Sequence, residues 1–439
     1  MHHSGPFCAP PLIKAKRQTI AIPHDSQATC TSIPLAMTPT FHANPYPLHR
    51  KFQSPTGTPK SQKLPVMVYQ ETNTSTPLGT LNIMSTHRHF ELKVPGGKLL
   101  VVDIDVDSAN AITNATISGD FFLEPEEAYD ALSPALVGLT TASSTADIQS
   151  RLDAALERID APVALHGFDT QHLATTVKRA LSDGTDFTDH SWEILRPGVL
   201  PTPVNVALDE VLLNEVAEGK RGPTLRFWEW EDKAVVFGSY QSYANELDQE
   251  GVDKHGIIPV RRISGGGAMF MEGGNCVTYS LYAPESLVAG YSYEASYEYL
   301  DQWVLAALSK LGVNAWYVPI NDITSDGGKI GGAAQKRRQG AVLHHTTMSY
   351  DIDADKMLEV LRIGKVKVSS KGLASAKKRV DPLRRQTGVP REKIIDTMVH
   401  EFATRYGAID AELSDATLAD AHRLVDTKFL TEAWTKRIP

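Results

Sequence analysis

Twelve of the chain's 26 prolines fall within its first 80 residues, and this asymmetry decides where a fold can begin. Proline removes a backbone donor and fixes φ, so such a density blocks helices and central strands. The same stretch carries 17 Ser/Thr, seven Lys/Arg, two acids (Asp25 and Glu71) and no Trp. Little apolar surface is left to offset chain ordering. Residues 1–83 are read as a disordered N-terminal extension, absent from the mature protein if translation starts at Met84. An acid-poor, Ser/Thr-rich start invites a mitochondrial transit-peptide reading. Against it, only Arg17 and Arg50 are arginines and the prolines break any amphipathic helix, so the expected compartment is the cytoplasm. Pro10-Pro11 and the Lys14–Arg17 cluster leave no apolar core for a secretory signal.

The remaining chain holds ample material for one or two cores, since the 439 residues are 42% hydrophobic with 31 Gly besides. No run approaches the ~18 apolar residues of a membrane span. Cys8, Cys30 and Cys276 are too few for a disulfide scaffold or a four-thiolate zinc site. A net charge of −8 argues against nucleic acid as a partner.

Two units are expected. Phe90–Val94 alternates, Pro95-Gly-Gly97 signals a turn, and Leu99–Val106 and Ala111–Phe122 read as strands. Ser144 caps a run whose Ile148, Leu152, Leu156 and Ile159 share a helix face, and Leu173, Val177 and Leu181 repeat the spacing. Residues 84–182 thus form a small α+β unit, and Ser182–Asp186 is the linker. In 192–439, Asn205 is the expected N-cap of a helix carrying Ala207, Leu208, Val211 and Leu212. Strands are expected at Thr224–Trp230, Ala234–Phe237 and Gly340–Tyr350, with a helix through Trp303, Ala307 and Leu311 between them. Beyond Asp355 the pattern is mainly helical.

The segment with most chemical content is Arg261-Arg262-Ile263-Ser264-Gly265-Gly266-Gly267-Ala268-Met269-Phe270. Three glycines weaken regular structure, so their use is close approach of backbone N–H groups to a guest. Two guanidinium groups alongside make that guest a phosphate or carboxylate. Neither a P-loop nor a dinucleotide fingerprint fits the spacing. A second cluster, Asn321-Asp322 followed by Gly327-Gly328-Lys329-Ile330-Gly331-Gly332-Ala333-Ala334-Gln335, crowds small residues around one lysine that alternation aims at a shared cleft. Such a lysine can stabilise charge on a phosphoryl group, and Asp322 is the candidate ligand for a phosphate-bridging Mg2+. His344-His345 does not make a metal pair, because adjacent strand residues face opposite ways. His87-Arg88-His89 has no partner ligands nearby in sequence. Lys365–Lys393 holds ten basic residues against Asp381 and Glu392, either a solvated surface or a docking face for an acidic partner or nucleotide phosphates.

Taken in order, these blocks resemble the lipoate–protein ligase A family. Arg261–Phe270, Asn321-Asp322, Lys329-Ile-Gly-Gly-Ala-Ala-Gln335, Leu343-His-His-Thr-Thr347, Asn205…Asp209-Glu210 and Lys428-Phe429…Glu432-Ala433-Trp434 carry the likeness. Residues 90–135, with Lys93–Lys98 and Gly119–Glu127, resemble the family's accessory domain, here placed N-terminal to the catalytic one. The resemblance implies a biotin/lipoate ligase-like α+β catalytic domain (192–439) with a mainly antiparallel sheet, plus the small α+β accessory domain (84–182). It implies ATP-dependent activation of lipoate to lipoyl-AMP, then transfer to a lysine of a lipoyl domain, in a 2-oxoacid dehydrogenase or glycine cleavage protein. Arg262, Gly265, Gly266, Gly267, Ala268, Met269, Phe270, Asn275, Asp322 and Lys329 would bind ATP and the adenylate, with Lys329 the catalytic residue. The sequence departs from the family pattern at Met271-Glu272, where His-Asp is usual, at Gly331 in place of Ser, and at Thr346 in place of Gly. Two alternatives stay open: an octanoyl or lipoyl transferase, and a non-catalytic binder of lipoate or lipoyl domains. A thioester-forming transferase needs a cysteine nucleophile. None lies between Val277 and Pro439, and Cys276 has no obvious base partner.

Overall fold

The computed structural model describes residues 85–362 and 381–439. The expected N-terminal extension lies outside these residues, as does most of the basic run. No helix among the described residues is long and apolar enough to cross a membrane.

The first unit is a meander of β1 (Thr86–Lys93), β2 (Leu99–Val106) and β3 (Ile112–Gly119), antiparallel in the order β1-β2-β3. Leu100, Val102, Ile104 and Val106 alternate onto one face of β2, giving a half-buried strand. That face is covered by α1 (Glu126–Leu136), α2 (Thr145–Leu156) and α3 (Thr170–Leu181), which close one apolar core with it. Ser144 caps α2 through a reciprocal pair with Asp147. Short strands β4 (Phe122–Glu124) and β5 (Ala164–His166) pair beside it.

The expected linker is pinned rather than loose. Thr185 donates its N–H to the Ser286 carbonyl at 3.0 Å. Arg179, fully buried at the end of α3, donates to the carbonyls of Thr185 (2.6 Å) and Ala289 (2.7 Å). Its guanidinium lies 4.4, 4.2 and 5.3 Å from the rings of Phe90, Tyr291 and Tyr299. One side chain of the first unit is thus inserted between aromatic groups of both.

The second unit is built on a nine-stranded mixed sheet in which β6 (Glu193–Leu195), β7 (Val199–Leu200), β8 (Thr224–Trp230), β12 (Cys276–Pro284), β13 (Ala315–Val318), β14 (Asp322–Ser325), β15 (Gly328–Arg338), β16 (Ala341–Ser349) and β17 (Ile409–Ala411) take part. Its main path runs β13-β14-β15-β16-β12-β8-β6-β17, antiparallel from β13 to β8 and parallel beyond. Strands β12 and β16 are buried almost throughout because both sheet faces are covered. Helices α4 (Thr202–Ala217) and Asp415–Leu424 cover one face; Tyr293–Lys310 and Arg391–Tyr406 cover the other. A smaller sheet, β10 (Ile258–Arg261), β9 (Ala234–Phe237) and β11 (Met269–Met271), stands against the α4 side.

Asn205 does not cap α4. The helix starts at Thr202, and Asn205 is buried inside it, donating to the carbonyls of Leu200 and Glu229 and accepting from Arg226. Pro203 near the helix start, with its fixed φ, was the better boundary signal.

Candidate active site

One row of cross-strand neighbours, Trp228 on β8, Thr278 on β12, Thr347 on β16 and Gly332 on β15, lays the floor of a cleft, with Asp322 on β14 next in the row beside it. Directly opposed residues share a sheet face. Val236 and Met269, paired across β9 and β11, close the apolar side together with Met271 and Trp230. Arg262, Gly267, Ala268, Asn321, Lys329 and His345 complete the lining of this open cleft. One wall is therefore aromatic and aliphatic, and the other carries hydroxyls, an amide, an imidazole and an ammonium. That is the usual make-up of a small-molecule site, apolar with a few placed polar groups.

Lys329 reaches this face through an irregularity, not by the alternation expected of it. From Gly332, strict alternation would put Ile330 in the cleft and send Lys329 to the far side. Instead Thr324 opposes Lys329 while Asp322 opposes Gly332, so β15 carries one residue more than β14 at this point. The bulge turns Ile330 into the opposite core and returns Lys329 to the cleft side, with Nζ 2.7 Å from Asp322 Oδ1. Gly331 is needed there, since a Cβ would sit 2.6 Å from the Thr347 carbonyl oxygen.

The glycine loop is held from inside. Arg262 is buried, and burial pushes its guanidinium down to about 10. Its Nε donates to Ser264 Oγ (2.9 Å), Nη1 to the Val236 carbonyl (3.1 Å), and Nη2 to the carbonyls of Gly265 and Gly267. Gly266 takes φ +89°, the left-handed region that favours glycine. Arg261 is equally buried but faces away, donating to the carbonyls of Gly238, Ser239 and Gln241 and to those of Trp434, Thr435 and Ile438. It clasps the C-terminal segment. The expectation of two free guanidinium groups beside the loop is thereby corrected: buried carbonyls take nearly all of their N–H groups.

Of the residues expected at the site, Arg262, Gly267, Ala268, Met269 and Lys329 line the cleft and Asp322 touches it through Lys329. Gly265 and Gly266 form the turn behind it. Phe270 is not brought in, because β11 alternation sends it to a separate core with Val235 and Phe237. Asn275 lies apart as well, its Oδ1 accepting the Glu272 N–H at 2.9 Å. Trp228, Trp230, Thr278, His345 and Thr347 went unassigned in the sequence; their common signal was alternation on strands that converge only in three dimensions.

His344 and His345 diverge as alternation requires. His344 Nε2 meets Asp301 Oδ1 at 2.6 Å on one face; His345 Nδ1 meets Asp209 Oδ2 at 2.7 Å on the other. Burial lowers the His345 imidazole more than Asp209 raises it. Burial alone would raise the Asp209 carboxyl, but His345 and Arg226 hold it below the usual range. His87 and His89 face Asp105 and Asp103 across β1 and β2, partners invisible along the sequence.

Among the described residues no group of three His, Cys, Asp or Glu is arranged to hold a metal. Among the described residues no carboxylate lines the cleft, and Asp322 beside it is engaged by Lys329.

The fold and cleft define an acyl-handling enzyme. The model of the lipoyl protein ligase A/B catalytic domain matches residues 201–403. The chain is 30% identical over 276 residues to the octanoyltransferase LipM of Moorella thermoacetica, spanning 56% of this chain and 98% of that relative. It is 29% identical over 231 residues to the probable lipoate-protein ligase A of Mycoplasma pneumoniae, 52% of this chain and 67% of that one. A solved chain of the bi-partite lipoate protein ligase of Thermoplasma acidophilum, described with its E2 lipoyl domain, superposes with TM-score 0.51 at 25% identity, covering 57% of this chain and 98% of its own. The chain belongs to the family of lipoate–protein ligases and octanoyltransferases.

Proposed function

We propose that this enzyme uses ATP to activate lipoate as lipoyl-AMP and transfers the lipoyl group to a lysine of an acceptor lipoyl domain. In the first step the lipoate carboxylate attacks the α-phosphorus and pyrophosphate leaves. In the second the acceptor amine attacks the mixed anhydride, losing its proton as AMP leaves. Lys329 neutralises charge at the phosphoryl and carbonyl oxygens, and its ion pair with Asp322 fixes where Nζ stands before substrate arrives. Trp228, Trp230, Val236, Met269 and Met271 hold the acyl chain. Residues 85–182 serve as the accessory domain, and none of them lines the cleft.

One observation carries the choice of ligase over transferase. A thioester route needs a thiolate at the cleft, yet among the described residues no cysteine lines it. Cys276, the one cysteine among the described residues, is fully buried, and burial pushes its thiol up to about 12. The names of the LipM relatives favour the second reading, octanoyl transfer. Lipoate-dependent ATP–pyrophosphate exchange separates the two. Exchange in full-length protein supports the ligase; its absence, together with octanoyl transfer from a carrier protein that is abolished by Cys276→Ala, overturns it.

A further inference from the structure

Three side chains from three parts of the chain, Asp209, His345 and Ser264, join the buried core to the glycine loop. Asp209 on α4 is anchored by Tyr282 Oη (2.6 Å), Ser280 Oγ (2.9 Å) and Arg226 Nη2 (3.0 Å), all on its Oδ1. Its Oδ2 meets His345 Nδ1 at 2.7 Å, and His345 Nε2 meets Ser264 Oγ at 2.7 Å. Ser264 is wholly buried within the loop segment.

The direction of these bonds follows from the carboxylate. Asp209 Oδ2 can only accept, so His345 carries its proton on Nδ1, and in the neutral ring Nε2 accepts from Ser264 Oγ, which in turn accepts from Arg262 Nε. His345 is then neutral and protonated on Nδ1, which donates to the Asp209 carboxylate. Every polar atom of the relay is used in a compatible sense. A Ser-His-Asp row of this kind suggests a nucleophile, but Ser264 has no exposed surface and does not line the cleft. The row serves the loop instead.

We infer that Asp209 and His345 are positioning residues: they set the direction of the Ser264 hydroxyl, and through Arg262 they hold the carbonyls of Gly265 and Gly267 in a single arrangement. Loop order is consequently linked to one proton. A proton on His345 Nε2 removes the acceptor for Ser264 and places a second cation beside Arg262. The groups facing His345 fix the sign of the effect. Asp209 favours that proton from α4, whereas Arg262 from the loop, Arg226 from β8 behind Asp209, His344 on its own strand and Lys329 across the cleft oppose it, and Tyr282 adds a neutral donor. The inference rests on the proposed ligase reading only through the activity assay below.

Two measurements on the full-length chain test it. In the first, hydrogen exchange of the backbone across Arg262–Phe270, corrected for its intrinsic pH dependence, is followed into acid in the wild type. Protection should fall with the same midpoint as the acid limb of lipoate-dependent ATP–pyrophosphate exchange, and Ser264→Ala should abolish that pH dependence. In the second, Ser264→Ala, His345→Gln and the double variant are compared. Each single change should lower turnover by about ten- to a hundredfold, and the double change by no more than the worse single one, because both break the same chain. Losses that multiply in the double variant, or loop protection that stays constant through the acid limb, overturn the inference. If the wild type shows no exchange with lipoate or octanoate, the ligase reading fails while the protection measurement still decides this one.

Discussion

Lys329 and Asp322 meet across a bulged pair of strands, Nζ to Oδ1 2.7 Å apart, at the point where the cleft floor turns towards the sheet edge. An ammonium held by a neighbouring carboxylate is preorganised, so substrate oxygens find it in place. Lys329→Ala should reduce adenylate formation on the order of 10²–10³-fold with the thermal midpoint unchanged. Asp322→Asn should lose less, since the ammonium remains. Pyrophosphate exchange and a melting curve on the same samples check both, and near-normal exchange in Lys329→Ala would refute the assignment.

The bulge itself can be tested at Gly331. Its missing Cβ makes room for the Thr347 carbonyl and the Met348 side chain. Gly331→Ser should cost about 1–3 kcal/mol by overpacking and should lower exchange as β15 shifts away from β16. A serine variant as stable and active as the parent would mean that the strands have slack here.

Much of this was legible along the chain. Strands β8 and β9 fall where alternation put them, the Ser144 cap and the α3 repeat hold, and the blocks around Gly265–Gly267 and Lys329 do meet in one cleft. What escaped was set by distant partners. The tryptophans of the cleft's apolar wall look like any buried strand residues until β9 and β11 close over them. Asn205 has the composition of a cap, but Arg226 and the Leu200 and Glu229 carbonyls draw it inside. The arginines in the described part of the basic run are paired: Arg384 with Asp351, Arg385 with Asp381, and Arg391 buried against Glu229 and the Cys276 carbonyl.

Because Cys276 is sealed and its thiol is pushed up to about 12, thiol reagents should leave activity intact. Prolonged treatment of the native enzyme with iodoacetamide should not slow pyrophosphate exchange, and Cys276→Ala should retain it. Rapid inactivation that tracks modification of this residue would restore a thioester mechanism.

Acid should weaken the fold in two stages. His345 binds its proton less readily folded than unfolded, so stability is lost as pH falls below the ordinary imidazole value of about 6.5. Asp209, held below the usual carboxylate range, adds a further loss as pH drops beneath about 4. Urea midpoints measured down the pH scale should decline in both windows. His345→Gln should flatten the first and shrink the second, because His345 helps to hold Asp209 low, and an unchanged first window in that variant would assign it to another group.

Arg179 satisfies carbonyls on both sides of the junction and packs among three rings. Arg179→Leu keeps bulk but strands those acceptors, and should cost roughly 3 kcal/mol. Differential scanning calorimetry should also resolve two transitions in the variant where the parent gives one.

The same contact makes the peptide link across Ser182–Ser191 redundant as a tether. Thr185, Ser286 and the Arg179 guanidinium bind by side-chain and carbonyl chemistry that does not ask whether the backbone is continuous. Two polypeptides meeting at this seam would still find one another, so the order in which the halves are encoded is free to change while the assembled body stays the same.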